Sequence, residues 1–343
     1  MLRDGRIFGR KTSGFTLQWH LTNACELHCR HCYDRTDRTA LDLADAIGII
    51  HSLESFCRKR EISGNVCLTG GNPILYPHFW ELYQAVAERG FTTSILGNPV
   101  PEQIVSRIVE VQKPTYYQVS LEGLEDHNDE IRGPGHFQRA VEFLSILRTA
   151  GVRANVMLTL TRRNLDQVIP LGEMLQGLAD RFTFNRLAQV GEGSDLELPT
   201  PDEYVDFMKK YTVASRTNPA LGFKDGLFNI FRYHFKRPPT GGCTGFGCGA
   251  AFNFIAVLPD GEAHACRKLP SFIGDAVELG IEGVYESAEA KQYRKGCSKC
   301  RFCRLRDVCG GCLAVSYGHG LDVFKDLDPH CFMRERARYL ADF

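Results

Sequence analysis

No run in this sequence approaches the roughly 18–20 consecutive apolar residues that a membrane-spanning helix requires. The opening stretch from Met1 to Gly14 is basic and polar, and no apolar segment follows it, so it does not read as a secretory signal. Charge of one sign is not in surplus either: Lys plus Arg and Asp plus Glu both number 41. A balanced chain offers no global field for nucleic acid or a membrane surface. These absences lead us to expect a cytoplasmic protein with no nucleic-acid or membrane partner. Cysteine, by contrast, is plentiful. Fourteen cysteines without an export signal argue for metal or redox cofactors rather than disulfides. With 343 residues, 43% of them hydrophobic, the chain can build one large domain plus a smaller one.

Three cysteines stand at C-x3-C-x2-C spacing in the run Cys25-Glu-Leu-His-Cys29-Arg-His-Cys32-Tyr. Three thiolates on one loop can hold a cubane of four irons and four sulfides by three irons only, which leaves one iron open. Clusters that merely carry electrons usually take four cysteines. The next cysteine here is Cys57, inside a helical pattern. An open iron is where a substrate or cosubstrate can bind, as an open position on zinc marks a catalytic site. Zinc is the alternative occupant, with Cys29, Cys32 and His31 as ligands, but it would leave Cys25 surplus. The loop resembles that of the radical S-adenosylmethionine (SAM) superfamily, in which an aromatic residue precedes the third cysteine; His31 holds that place. The resemblance implies that SAM chelates the open iron. One electron then cleaves it to methionine and a 5′-deoxyadenosyl radical, which abstracts a substrate hydrogen.

From Thr16 to about Arg186 the pattern alternates between strands and helices. Strands are expected at Thr16–Leu21, Asn65–Thr69, Thr92–Leu96, Tyr116–Leu121, Ala154–Leu160 and Arg181–Arg186. Helices are expected at Leu41–Arg58, Phe79–Arg89, Pro101–Val109, Phe137–Ala150 and Leu165–Leu178. In the second helix Phe79, Leu82, Tyr83, Val86 and Ala87 share one face. Such alternation implies βαβ units and a parallel sheet. The fold class is therefore α/β. The resemblance implies a partial (β/α)6 TIM-like barrel, while periodicity alone leaves an open doubly wound sheet as the alternative.

The polar motifs fall just after the C-terminal ends of these strands, the ligand-binding side of parallel α/β folds. After the first comes the cysteine loop, after the second Gly70-Gly71-Asn72-Pro73, after the third Gly97-Asn98-Pro99, and after the fourth Glu122-Gly123. By resemblance to the family's Gly-Gly-Glu-Pro, Gly70, Gly71, Asn72 and Pro73 approach the SAM amine, with Asn72 in place of the usual Glu. Asn98 stands where the family has a turn near the ribose. Ser120 and Glu122 lie in a segment similar to the Ser-Leu-Asp-Gly of peptide-modifying members. Arg132, in a run resembling their His-Asp…Arg-Gly, is by that resemblance the partner of the SAM carboxylate, a solvated surface arginine being the alternative.

Nine cysteines crowd into Cys243–Cys331, and this shift in composition sets a boundary near residues 217–240. We expect an N-terminal extension over 1–15, a core barrel over 16–217 and a cysteine-rich domain over 218–343. The cysteine order resembles the SPASM extension of radical SAM enzymes, although two residues rather than three separate Cys309 from Cys312. The resemblance implies a first auxiliary [4Fe–4S] cluster on Cys243, Cys248, Cys266 and Cys312. A second would sit on Cys300, Cys303, Cys309 and Cys331, making three clusters in all. A pair of zinc ribbons would satisfy the same spacings. Cys297 stands at C-x2-C spacing from Cys300 and can replace Cys243 or Cys300 as a ligand, whereas Cys57 and Cys67 read as small buried hydrophobes.

The expected activity is maturation of a ribosomally made, cysteine-containing precursor peptide. The cysteine loop and the Gly-Gly-Asn-Pro variant point within that class to selenobiotic, thio(seleno)oxazole-type maturases. An external one-electron reductant of flavodoxin or ferredoxin type is implied. Twenty-four residues precede Cys25, too few for a winged-helix leader-binding domain. A leader, if the substrate has one, is therefore expected to be held by a separate leader-binding protein or by the enzyme's own groove. Formylglycine formation of the anaerobic sulfatase-maturase kind is the alternative. Those enzymes carry an acid directly after the cysteine equivalent to Cys266, where this chain has Arg267-Lys268. A non-catalytic zinc-binding scaffold is the alternative from another class.

Overall fold

The computed structural model describes residues 6–7, 10–341 and 343. Of the extension expected over 1–15, residues 1–5, 8 and 9 lie outside the described residues. Six parallel strands form the centre: β1 (Gly14–His20), β2 (Ser63–Thr69), β3 (Thr92–Leu96), β4 (Tyr117–Ser120), β5 (Ala154–Leu160) and β6 (Arg181–Arg186). They pair in sequence order, β1 through β6. A doubly wound sheet reverses direction partway, so that its helices cover both faces. Strands added in one direction through right-handed crossovers put every helix on the same face. The winding is thus that of a partial (β/α)6 barrel, left open between its edge strands.

The first crossover helix, α1 (Leu43–Arg60), starts where the Asp42 carboxylate accepts the Asp45 N–H at 2.9 Å, and ends at Glu61 in the left-handed region (φ 53°). The second, α2 (Phe79–Glu88), buries Phe79, Leu82, Tyr83 and Val86, the face its spacing marks out. Helix boundaries differ from the sequence expectation by a few residues, as frayed ends do. The largest difference is in α6 (Val168–Met174), which is half the expected length. The intervening helices α3 (Glu102–Val111), α4 (Glu125–Arg132) and α5 (His136–Thr149) complete the set, α4 being short and closed by Gly133.

The sheet continues beyond β1. Strand β7 (Phe254–Val257) runs parallel to β1, pairing Thr16 with Phe254 through to Trp19 with Val257. Two antiparallel strands follow, β8 (Glu262–His264) and β9 (Phe272–Asp275). The β7–β8 connection is the Pro259-Asp260-Gly261 turn, in which Gly261 adopts φ +93° and donates its N–H to Leu258 at 3.0 Å. Only glycine accepts that φ without strain. At the other edge, Phe184 of β6 packs edge-to-face with Phe207 and Tyr211 of α7 (Pro201–Ala214) and with Phe228 of the next helix. Each such pair contributes about 0.5–1.5 kcal/mol beyond its burial. Helices over Ala276–Glu286 and Ala288–Lys295 follow β9. From Gly296 to Glu335 regular structure is sparse, and the cysteines of the C-terminal region lie outside its α-helices and strands.

Candidate active site

The cysteine loop leaves β1 at His20 and lies over the start of the turn after β2. Leu21 donates its N–H to Thr69 O (2.9 Å), Gly71 to Thr22 O (2.7 Å) and Asn72 to Ala24 O (2.8 Å). There is no room for a side chain at either glycine: a Cβ on Gly70 would stand 2.3 Å from Thr22 O, and one on Gly71 2.3 Å from Ala24 O. The Gly-Gly pair thus seats the cysteine loop directly on the strand end. The Asn72 amide donates to both carboxylate oxygens of Glu26 (3.0 and 3.2 Å), so a carboxylate does stand at this position, contributed by the cysteine loop itself. Asn98 reaches across from the third loop, its Nδ2 3.5 Å from Cys25 Sγ.

Glu122 ties three segments together. Its Oε1 accepts from Arg132 Nη2 (2.6 Å) and Nε (2.8 Å) and lies 2.9 Å from His31 Nε2, while Oε2 accepts the Thr159 N–H at 2.7 Å. Burial by itself would raise the Glu122 carboxyl. The charges of His31 and Arg132 and the hydrogen bonds outweigh it and hold the group well below the usual carboxylate range. Arg132 Nη1 also points at Cys29 Sγ, 3.7 Å away. The cysteine loop, the β4 end and the end of α4 therefore share one buried ion-pair network.

These elements border an open cleft of about 1080 Å³ at the C-terminal ends of the strands. Cys25, Cys29, Cys32, Gly70, Gly71, Asn98, Ser120 and Arg132 face it, while Asn72, Pro73 and Glu122 lie behind that surface. Strand-end residues that the sequence reading did not single out also face it: His20, Thr69, Gln118, Thr159 and Asn185. Their signal was available, since each closes or nearly closes a strand and so points to the ligand side.

Two further cavities are ringed by thiols. Cys243, Cys248, Cys266 and Cys312 border one of about 860 Å³, which shares Arg267 and Lys268 with the cleft. Cys300, Cys303, Cys309 and Cys331 border another of about 500 Å³, together with Cys297. Cys297 hence faces the second set, where its Sγ donates to Asp326 O at 3.0 Å. Cys57 and Cys67 are buried in the barrel. Among the described residues, no three His, Cys, Asp or Glu side chains converge closely enough to hold a single metal ion. Rings of four thiols that do not converge on one ion suit a cubane better than one tetrahedral zinc. Burial pushes the Cys312 thiol up to about 12, so a bound cation is needed to deprotonate it near neutral pH.

The last strand of the barrel is anchored to this region. Arg186, fully buried, donates through Nη1 and Nη2 to both oxygens of Asp328 (2.7 Å each) and through Nε to Asp225 (2.6 Å). Asp328 Oδ2 in turn accepts the Cys312 N–H at 2.8 Å.

Comparison with known proteins agrees with this geometry. The family model described as the radical SAM superfamily matches residues 19–175. The mycofactocin maturase MftC of Mycobacterium ulcerans is 30% identical, over 95% of this chain and 89% of its own. An AdoMet-dependent heme synthase of Methanosarcina barkeri is 25% identical, over 93% of this chain and 96% of its own. Among solved structures, Streptococcus suis SuiB bound to its precursor peptide SuiA superposes with a TM-score of 0.70 at 19% identity. That match covers 94% of this chain and 76% of SuiB.

Proposed function

Because the chain belongs to the radical SAM superfamily, and is therefore an enzyme that uses a [4Fe–4S] cluster and SAM, we propose that it matures a ribosomally made, cysteine-containing precursor peptide. When bound, the cluster and SAM supply one-electron reduction and a hydrogen-abstracting radical. Cys25, Cys29 and Cys32 hold the cluster by three thiolates. Asn98 and Arg132 donate to Cys25 and Cys29, which fixes those sulfurs and offsets their negative charge. Gly70, Gly71, Asn72 and Pro73 hold the loop at the strand ends, and Ser120 and Arg132 face the SAM-binding part of the cleft, with Glu122 keeping Arg132 in place. Residues 16–217 serve as the core and 218–343 as the auxiliary region. Two more clusters belong on Cys243, Cys248, Cys266 and Cys312 and on Cys300, Cys303, Cys309 and Cys331. A flavodoxin- or ferredoxin-type reductant delivers the electron, and a separate leader-binding protein presents the peptide.

The observation that carries this reading is the adjacency of the cleft and the first cysteine-ringed cavity, which share Arg267 and Lys268 in their linings. A peptide lying over the cleft has the three-cysteine loop on one side and the auxiliary thiols on the other. The maturase MftC, and SuiB with its precursor peptide SuiA bound, support a peptide substrate. Formylglycine formation is disfavoured by two cations standing where that activity needs an acid. The test is anaerobic incubation of reconstituted protein with SAM, dithionite and the short cysteine-bearing peptide encoded beside the gene. Deoxyadenosine and a peptide of altered mass are expected. Colourless, zinc-replete protein, or consumption of a haem precursor with the peptide untouched, would overturn the reading.

A further inference from the structure

Three cations stand at the junction of the cleft and the first cysteine-ringed cavity with no carboxylate to balance them; the acidic groups beside them are thiols, Cys243, Cys266 and Cys312 among them. Arg267 and Lys268 border both spaces, and Lys224 borders the inner one. All three are part-buried, with the exposed remainder of each bordering the cavity. Arg267 lies 5.5 Å from the Tyr33 ring centre, beside the cysteine loop, and its Nη1 is buried with no hydrogen-bond partner.

The other charged groups around the two spaces are already paired. Arg132 is held by Glu122 and Arg186 by Asp225 and Asp328. Arg35 contacts His28. The acids that face the spaces are engaged as well. Asp34 accepts from the Thr36 N–H and hydroxyl (2.9 and 2.6 Å), and Asp225 accepts from Arg186 and the Leu227 N–H (2.6 and 2.8 Å). Among the described residues, no carboxylate lies within ion-pair distance of Arg267, Lys268 or Lys224. Grouping three like charges in an enclosed space is costly unless anions offset them. The neighbouring thiols do so when ionised, and a carboxylate entering from the cleft side supplies a further anion where Arg267 Nη1 has no partner. A planar guanidinium with a free N–H, flanked by two ammonium groups, matches a carboxylate.

We propose that Arg267, Lys268 and Lys224 form a carboxylate-binding subsite that positions the substrate between the three-cysteine loop and the auxiliary thiols. The inference rests on the peptide reading above. Carboxylates are the anions an unmodified ribosomal peptide carries, on Asp and Glu side chains or at its C-terminus. The subsite therefore selects peptides that bring an acidic group beside the reacting residue. The chemistry is opposite in sign to an acid placed there to take a proton from the substrate.

The test needs no knowledge of the natural peptide. Reconstituted full-length protein with SAM is melted at matched ionic strength with three probes. N-acetylglutamic acid α-amide carries only a side-chain carboxylate, N-acetylglutamine only a terminal one, and N-acetylglutamine amide neither. At about 20 mM, a millimolar site raises the melting midpoint by about 2 °C. One or both acids should produce that shift, the larger identifying the source of the carboxylate, and the diamide none. Arg267→Gln/Lys268→Gln should abolish the response while keeping its iron. An equal shift with the diamide, or an undiminished shift in the double variant, would overturn the proposal. So would loss of iron from a well-folded double variant, which would assign the cations to balancing cluster charge. Should the double variant not fold, Lys224→Gln carries the same test: a shift cut at least by half is expected, and a full one overturns the subsite. Deoxyadenosine formation, measured on the same wild-type preparation, reports the enzyme reading separately. Its absence alongside a retained acid-specific shift would remove that reading and leave the subsite standing.

Discussion

In the barrel, Cys25, Cys29 and Cys32 hang from a loop anchored on both sides by regular structure: β1 leads into it, and the Gly70-Gly71 turn of β2 lies beneath it. In Cys243–Cys331, nine cysteines sit outside α-helices and strands around two cavities, held by a few buried polar contacts such as that between Asp328 and the Cys312 N–H. The barrel fold is specified by apolar residues that bury themselves with or without a cofactor: Trp19, Tyr117, Phe143 and Phe184 are all almost fully enclosed. The cysteine-rich region buries apolar residues of its own, among them Ile255, Val257, Ile281 and Val284. Over residues 297–331, however, thiols take up much of the interior, and on the proposed reading stability there is coupled to what those thiols bind. On the proposed reading, one region presents a cofactor on a finished scaffold, whereas the other would use its cofactors as part of its scaffold.

The largest effect expected from this contrast is on metal content. Removing Cys25, Cys29 and Cys32 together should lower iron from about twelve to about eight per chain, one cubane of three, with the fold retained. A fall to about four, read by iron analysis, would mean that the two regions do not load independently.

The next concerns the link between the regions. Asp328→Ala leaves the buried Arg186 guanidinium short of its bidentate partner, a loss of about 3–5 kcal/mol when such a pair is broken. Hydrogen exchange should show protection falling first over residues 297–331 while β1–β5 stay protected. Equal loss throughout would show that the two regions unfold as one.

Gly70→Ala is directed at the barrel side alone. Gly70 has φ +143°, and a Cβ there meets the Thr22 carbonyl, so the strain is on the order of 1–3 kcal/mol. Displacing the cysteine loop should weaken SAM binding by roughly tenfold or more, following the same free energy. Equilibrium dialysis with SAM reads this, and auxiliary iron should be unchanged.

The smallest effect is at Arg38, which pairs with Asp260 and, at 2.9 Å, with Glu262 of the β7–β8 hairpin. These groups are partly exposed, and Arg38→Ala should cost no more than about 1 kcal/mol in a denaturant melt.

The elements that the sequence disclosed are those whose information is local. Strand and helix alternation is written in periodicity, and the loops holding Gly70, Asn98 and Ser120 could be assigned to one face because each follows a strand. Pairings between distant segments left no such trace. Glu122 reads as one more polar residue at a strand end until the fold brings His31 and Arg132 to its carboxylate. Nor does spacing indicate that Glu26 faces Asn72, or that Arg186 reaches Asp225 and Asp328. The choice between a barrel and a doubly wound sheet depended on strand order, which periodicity does not encode. Of the extension of the sheet by β7, β8 and β9, the sequence marks only the Pro259-Asp260-Gly261 hairpin turn, which the antiparallel β7–β8 pairing bears out. The strands are three or four residues long, too short to show a period.

The division of labour between the two regions is tested most directly by deoxyadenosine yield in two matched variants, Cys32→Ala and Cys266→Ala, each confirmed by a cooperative melt and assayed anaerobically with SAM, dithionite and the precursor peptide. The account predicts no deoxyadenosine from Cys32→Ala. From Cys266→Ala it predicts deoxyadenosine at close to the wild-type yield with little modified peptide. Deoxyadenosine from Cys32→Ala at near the wild-type rate, or fully modified peptide from a well-folded Cys266→Ala, would contradict it.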